Sequence, residues 1–225
     1  MSKLASEIVE QMNVNTVFTV GGIGVDEGVV VTWIVMAILI GLSIIMTRGL
    51  RVSNISKRQA AIEFIVLKLE SIVGGMIGEK GKPYVGYLIT VLLYIGLSNI
   101  IGIFGFKPPT KDLNVTIALA VMSIILVQIA AIREKKVGGW LKGFTKPLAV
   151  VTPFNILDLV TRPLSLCMRL FGNVLGAFII MELIKFVLPA IVPSVLSLYF
   201  DFFDGILQAY VFVFLTSMYV KEAIE

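Results

Sequence analysis

Five stretches of this chain are apolar enough and long enough to cross a lipid bilayer, and nothing else in the sequence constrains its fold as strongly. A hydrocarbon core of about 30 Å takes about 20 residues of helix at about 1.5 Å each. A helix satisfies every backbone N–H and C=O within the segment, which lipid cannot do. The stretches lie at about residues 28–46, 84–106, 113–132, 150–188 and 194–220. Composition agrees. The chain is 57% hydrophobic and 15% charged, where a soluble domain runs at about 45–50% and about 25%. A globule of 225 residues has too little interior to hide so many apolar side chains. A soluble enzyme, a disordered chain and a disulfide scaffold are excluded.

Other residue counts narrow the chemistry. There is no histidine, which excludes a Ser-His-Asp or Cys-His triad and a His-ligated zinc site. A single cysteine, Cys167, excludes an internal disulfide and a Cys-rich metal site. No metal or cofactor is expected. The net charge of +4 fits basic loops between membrane helices. No basic face with interleaved aromatics points to nucleic acid.

The connections give the organisation. Residues 1–27 are polar and acidic (Glu7, Glu10, Asp26, Glu27) and lack the basic and apolar regions of a secretory signal. They read as an extracellular segment ahead of one membrane domain, 28–225. Between the first two spans, Ile62, Ile65, Val66, Leu69, Ile72, Val73 and Met76 recur at steps of three and four, interrupted by Glu63, Lys68 and Glu70. That spacing predicts an amphipathic helix over about 59–78, lying at the interface or against other helices. The most basic connections follow the first span (Arg48, Arg51, Lys57, Arg58) and the third (a loop over Arg133 to Lys146). The positive-inside rule places both in the cytoplasm, with the N-terminus outside and the C-terminus inside.

Pro153 to Leu188 is too long for an upright span. As one helix it measures about 54 Å, so either it tilts strongly or Pro163 breaks it. Tilt is the reading favoured here. The fold class is therefore an all-α polytopic membrane protein with about five transmembrane helices and an amphipathic membrane-associated helix. The last two long helices form a strongly tilted hairpin about a Pro189–Pro193 turn.

Within the fourth stretch lies Arg169. An arginine at mid-membrane costs about 3 kcal/mol on insertion scales and keeps its charge in any environment. Such a residue faces a wet cavity or an anion, snorkels to the interface, or holds a helix in place. Ser165, Arg169 and Asn173 are spaced by four and share a face, with Gly172 and Gly176 close by. Asn155 and Asp158 join that stripe if the helix continues through Pro163. Folding the hairpin brings Arg169 level with about Phe212–Val213, one turn from Gln208. Asn173 joins this mid-depth polar zone. A second zone holds Glu182, Lys185, Asp201 and Asp204 toward the outside; it reads either as an ion path or as a salt-bridge cap on the hairpin.

The stretch RPLSLCMRLFGN (Arg162 to Asn173) resembles the signature of the a subunit of the F-type ATP synthase, in which an essential arginine precedes Leu-Phe-Gly-Asn. Gln208-Ala209-Tyr210 resembles the family's last-helix motif, and PPTKDLNVT (Pro108 to Thr116) its loop before the third span. Gln59 with Glu63, and Asn99 before IIGIFG, resemble weaker family patterns. The resemblance implies a non-catalytic, proton-conducting stator subunit in a bacterial plasma membrane. Its partners would be a ring of c subunits, the b-subunit peripheral stalk and the rest of the complex. Arg169, Asn173, Gln208 and Ser165 would then meet the ring. Glu182, Lys185, Asp201 and Asp204 are candidates for an outer half-channel, and Asn155 and Asp158 for an inner one. Some family members carry a glutamate nine residues after the arginine, paired with a histidine seven before the glutamine. Here those positions are Phe178 and Asp201. The alternatives are a secondary transporter using Arg169 for an anionic substrate, and a structural membrane scaffold. No internal repeat supports the transporter.

Overall fold

The hydropathy pattern folds as helices joined by short 3₁₀ turns. The structure is a computed structural model and describes residues 16–20, 23–51, 55–104, 106–143, 152–187 and 196–225. The first described elements form a small antiparallel hairpin, β1 (Thr16–Val20) with β2 (Ile23–Asp26). Among the described residues six α-helices follow: α1 (Glu27–Thr47), α2 (Lys57–Ile77), α3 (Val85–Ile100), α4 (Leu113–Gly143), α5 (Thr152–Val187) and α6 (Gly205–Ile224). A π-helical segment, Leu198–Asp204, leads into α6. Among the described residues five helical segments are long and apolar enough to cross a membrane: Glu27–Thr47, Glu79–Ile103, Leu113–Trp140, Thr152–Lys185 and Leu198–Ile224. The chain is an all-α polytopic membrane protein.

The bundle centres on α6, which packs against α3 and α4, while α5 packs along α4. Leu88 and Ile95 of α3, Ala120 and Ala130 of α4, Leu166 and Leu170 of α5, and Phe212 and Val213 of α6 close the core. Lipid tails are as apolar as leucine, so this seam is held by close packing and interhelical polar bonds. The polar bonds are present. Asn99 Nδ2 donates to the Gly205 carbonyl at 3.0 Å and Thr110 Oγ1 donates to Asn99 Oδ1 at 2.6 Å. Thr116 Oγ1 and Cys167 Sγ lie 3.5 Å apart between α4 and α5. Gly205 allows the close approach: a Cβ there would lie 2.8 Å from Asn99 Cβ. Helix α1 is peripheral. Only Val31 and Val35 are buried, and its outward residues, such as Ile40 and Ile45, are the apolar surface that lipid covers. Lys107 anchors its start through Glu27 at 2.9 Å, and Tyr94 OH donates to Thr32 Oγ1 at 3.1 Å.

Several expectations change. The basic stretch from Arg133 is not a loop: α4 runs on to Gly143, interrupted at Lys136, whose φ is 59°. The break turns the chain back so that Trp140 Nε1 donates to Gln128 Oε1 at 2.8 Å. Lys146 lies outside the described residues, as does the Pro189–Pro193 turn. Pro163 does not break α5, which is continuous over 36 residues. The missing N–H removes one bond from a helix held on both sides of that point. Helix α2 buries less of its stripe than its spacing suggests. Val73 is buried and Ile62, Leu69 and Met76 are half-buried, but Ile65, Val66 and Ile72 are exposed. Its start is capped by Ser56 Oγ, which accepts from the Gln59 N–H at 3.2 Å. The β-hairpin has no counterpart in the sequence reading.

Candidate functional site

One side of α5 is committed to the core: Leu166, Cys167 and Leu170 are buried against α4. The helical period then turns Ser165, Met168, Gly172 and Asn173 outward, and all four are exposed, with Arg169 half-buried among them. A Cβ added at Gly172 or Gly176 would meet nothing within 4 Å, so the face is open. Among the described residues Arg169 has no hydrogen-bond or ion-pair partner. A permanent charge is thus presented on an otherwise uncharged face.

One turn further, Asn173 Nδ2 donates to Gln208 Oε1 at 2.7 Å. Gln208 is buried. This bond is the direct tie between the two helices at the depth where the hairpin register placed them together.

Gln208 also lines a cavity of about 760 Å³. Glu182, Lys185 and Asp204 are on its wall, with Asn99, Lys107, Lys111, Phe178 and Ser197. Lys185 and Glu182 pair at 2.7 Å. The ammonium of Lys111 lies 3.2 Å from the centroid of the Phe178 ring. Burial, followed by the neighbouring Lys107 charge, lowers the Lys111 amine to a pKa of about 8, with Glu182 and Glu27 opposing. The side chain of Asp201 lies outside the described residues.

A smaller cavity of about 260 Å³ opens near the far end of α5. Asn155 and Asp158 line it together with Gln128, Arg162 and Glu222. Arg162 bridges Glu222 at 2.7 Å and Asp158 at 3.6 Å, and its guanidinium carbon lies 5.0 Å from the Tyr219 ring centroid.

Of the residues singled out from sequence, Asn173 and Gln208 come into direct contact. Glu182, Lys185 and Asp204 share the large cavity, and Asn155 and Asp158 share the small one. Ser165 stays on the exposed face with Arg169 and lines neither cavity. Sequence reasoning missed Lys107 and Lys111 as cavity residues, and the Arg162–Glu222 pair. The two lysines stand in the PPTKDLN loop, whose motif was visible but whose destination was not. Arg162 and Glu222 are 60 residues apart, with no local signal connecting them.

The family profile described as ATP synthase A chain matches residues 29–221. ATP synthase subunit a 2 of Acaryochloris marina is 31% identical over 211 residues, covering 92% of this chain and 90% of that protein. ATP synthase subunit a of Moorella thermoacetica is 32% identical over 211 residues, covering 93% and 95%. A Propionigenium modestum protein named ATP synthase subunit a, sodium ion specific, is 32% identical over 219 residues, covering 90% and 75%. These similarities do not favour a secondary transporter.

Proposed function

The chain belongs to the ATP synthase A chain family and takes part in ion translocation as a membrane-sector subunit of an F-type ATP synthase; from that premise we propose that it is the stator against which a ring of c subunits turns, with Arg169 at the contact. The observation that carries this reading is the exposed face of α5 on which Arg169 stands without a partner among the described residues. An arginine set in a membrane-spanning helix, with no carboxylate partner among the described residues, calls for one from elsewhere.

The two cavities supply the ion paths in this reading. The one at Glu182, Lys185, Asp204 and Gln208 serves as the outer half-channel; the one at Asn155 and Asp158 serves as the inner. Asp201 stays a candidate for the outer path. An ion coming through one path neutralises a ring carboxylate, which then travels round the ring in lipid. On nearing Arg169 the carboxyl ionises again. At about 4 Å and an effective dielectric of about 20, the attraction is about 4 kcal/mol. That lowers a carboxyl pKa by about three, enough to discharge a group that lipid holds protonated. The fixed charge also blocks direct hopping between the two paths. Each charge moved gains about 2.3 kcal/mol per 100 mV.

In this assignment the N-terminus faces outside and the C-terminus the cytoplasm of a bacterial plasma membrane. Helix α5 lies tilted, since about 54 Å of helix exceeds the hydrocarbon thickness. The b-subunit stalk is the other expected partner. The contact is tested by Gly172→Cys, a position open to space. In the assembled complex this cysteine cross-links to a cysteine placed beside the ring carboxylate. A cysteine at Ala130, buried in the core, does not. Equal cross-linking from both positions, or none from Gly172→Cys, contradicts the assignment.

A further inference from the structure

Helix α1 ends at a basic cavity. Gly49, with a φ of 83°, takes the left-handed conformation that stops the helix after Thr47. Between that end and the first turn of α2 lies a space of about 470 Å³, within the range of about 300–1,000 Å³ of ligand pockets. Arg48, Arg51 and Arg58 line it, with Ser56 and Gln59. The frame is fixed from α2. Gln59 is buried and clamps the Arg51 backbone in both directions: its Oε1 accepts from the Arg51 N–H at 3.0 Å, and its Nε2 donates to the Arg51 carbonyl at 2.9 Å. Arg58 Nη2 donates to the carbonyls of Ile45 and Arg48 at 3.1 and 3.3 Å, which fastens the last turn of α1 to α2. Three guanidinium groups are thereby gathered on one cavity. Among the described residues none of the three pairs with a carboxylate. Glu63, one turn on from Gln59, accepts instead from the Gln59 amide at 2.8 Å. Charges that cannot titrate away repel one another, and an anion among them relieves that repulsion.

The surroundings point to the source of that anion. Helix α1 crosses the membrane, and over its last two turns Ile40, Leu42, Ile44 and Ile45 are exposed apolar surface. Phe64 and Leu67 are exposed in the same way on α2. The cavity therefore sits where a spanning helix leaves the bilayer, with apolar surface on the helices that frame it. We propose that it binds the phosphate of an anionic phospholipid, Arg48 and Arg51 donating to the phosphate oxygens while the acyl chains lie along the apolar residues. Arg58 and Gln59 are positioning residues, since they hold the backbone that carries the other two. A free phosphate would satisfy the same guanidinium groups but would make no use of the apolar flanks.

The test is native mass spectrometry of the purified full chain in detergent, titrated with phosphatidylglycerol, with phosphatidylcholine, or with glycerophosphoglycerol, the anionic headgroup without its chains. Phosphatidylglycerol should bind in preference to the other two. Arg48→Gln and Arg51→Gln should each weaken it about fivefold, and about 25-fold together. Both side chains are exposed, so these variants should fold, as circular dichroism would verify. Arg51→Lys keeps the charge and should lose less than Arg51→Gln. Lys68→Gln removes an exposed charge of α2 that does not line the cavity and should change nothing. Equal binding of phosphatidylcholine, or an equal loss from Lys68→Gln, overturns the site. Glycerophosphoglycerol binding as tightly as the lipid overturns the lipid as the occupant. The titration is then repeated on the complete ATP synthase complex. The same loss from the arginine variants there supports the proposal; no arginine-dependent binding there means that another subunit covers the cavity, and overturns it.

Discussion

Replacing Gly205 by alanine should damage the bundle at a single point. The new Cβ would stand 2.8 Å from Asn99 Cβ, 3.7 Å from Asn99 Cγ and 3.8 Å from the Asn99 carbonyl carbon. Asn99 cannot swing away cheaply, because its amide donates to the Gly205 carbonyl and accepts from Thr110. Overpacking of this kind costs about 1–3 kcal/mol. Each buried hydrogen bond stretched or lost adds about 1 kcal/mol. The expected destabilisation is therefore about 2–4 kcal/mol. Gly205 is also one turn from Gln208, so the displacement reaches the large cavity. The assay is equilibrium unfolding of the purified chain in mixed micelles, run as a double-mutant cycle with Asn99→Gly. That partner change removes the atom the new methyl strikes and also loses both hydrogen bonds. The double variant should be less destabilised than the sum of the singles by at least about 1 kcal/mol, since the collision and shared bonds are counted once. A Gly205→Ala variant within about 0.5 kcal/mol of the natural chain, or a strictly additive cycle, refutes the close-approach reasoning.

Other positions give smaller and separable effects. Gln208→Leu removes the 2.7 Å bond to Asn173; at about 1 kcal/mol, coupled ion transport should slow about fivefold while the subunit assembles normally, measured as ATP-driven pumping in membrane vesicles. Arg162→Gln breaks the pairs to Glu222 and Asp158, of which Glu222 is well exposed; unfolding in mixed micelles should show a loss of at most about 1 kcal/mol. Lys111 titrates below its ordinary value, so between a pH of about 8 and the unfolded lysine value the unfolded chain binds more protons. Stability of the natural chain relative to Lys111→Met should therefore rise with pH across that window and be flat below it, as read from unfolding at stepped pH.

The sequence revealed the spans because lipid imposes a length and an apolarity that no soluble core requires. It also pointed to a mid-depth polar zone. Folding the hairpin groups Arg169, Asn173 and Gln208 in one zone, where the side chains of Asn173 and Gln208 meet and Arg169 bonds to neither. Arg169 stood out because a charge inside an apolar run needs a reason. What was not legible depends on contacts between distant segments. Lys111 looks like a turn residue until Asn99 and Thr110 fix the turn against α6. Arg162 finds Glu222 only after α5 and α6 lie side by side. The continuation of α4 past Arg133 was hidden by its charges, which mark a membrane boundary but do not end a helix. The α2 stripe had the right period, yet burial is decided by whether a neighbour is present, and of the stripe only Val73 becomes fully buried.

Arg169 is the residue on which the mechanism turns, and proton-driven ATP synthesis by membranes carrying Arg169→Ala tests it most directly. The half-buried side chain has no described partner within the chain, so its removal should leave the subunit folded and the complex assembled. Synthesis should fall to background, with assembly verified by the amount of subunit recovered in the purified complex. Synthesis at the natural rate in a normally assembled complex would contradict the assignment of Arg169 to the ring.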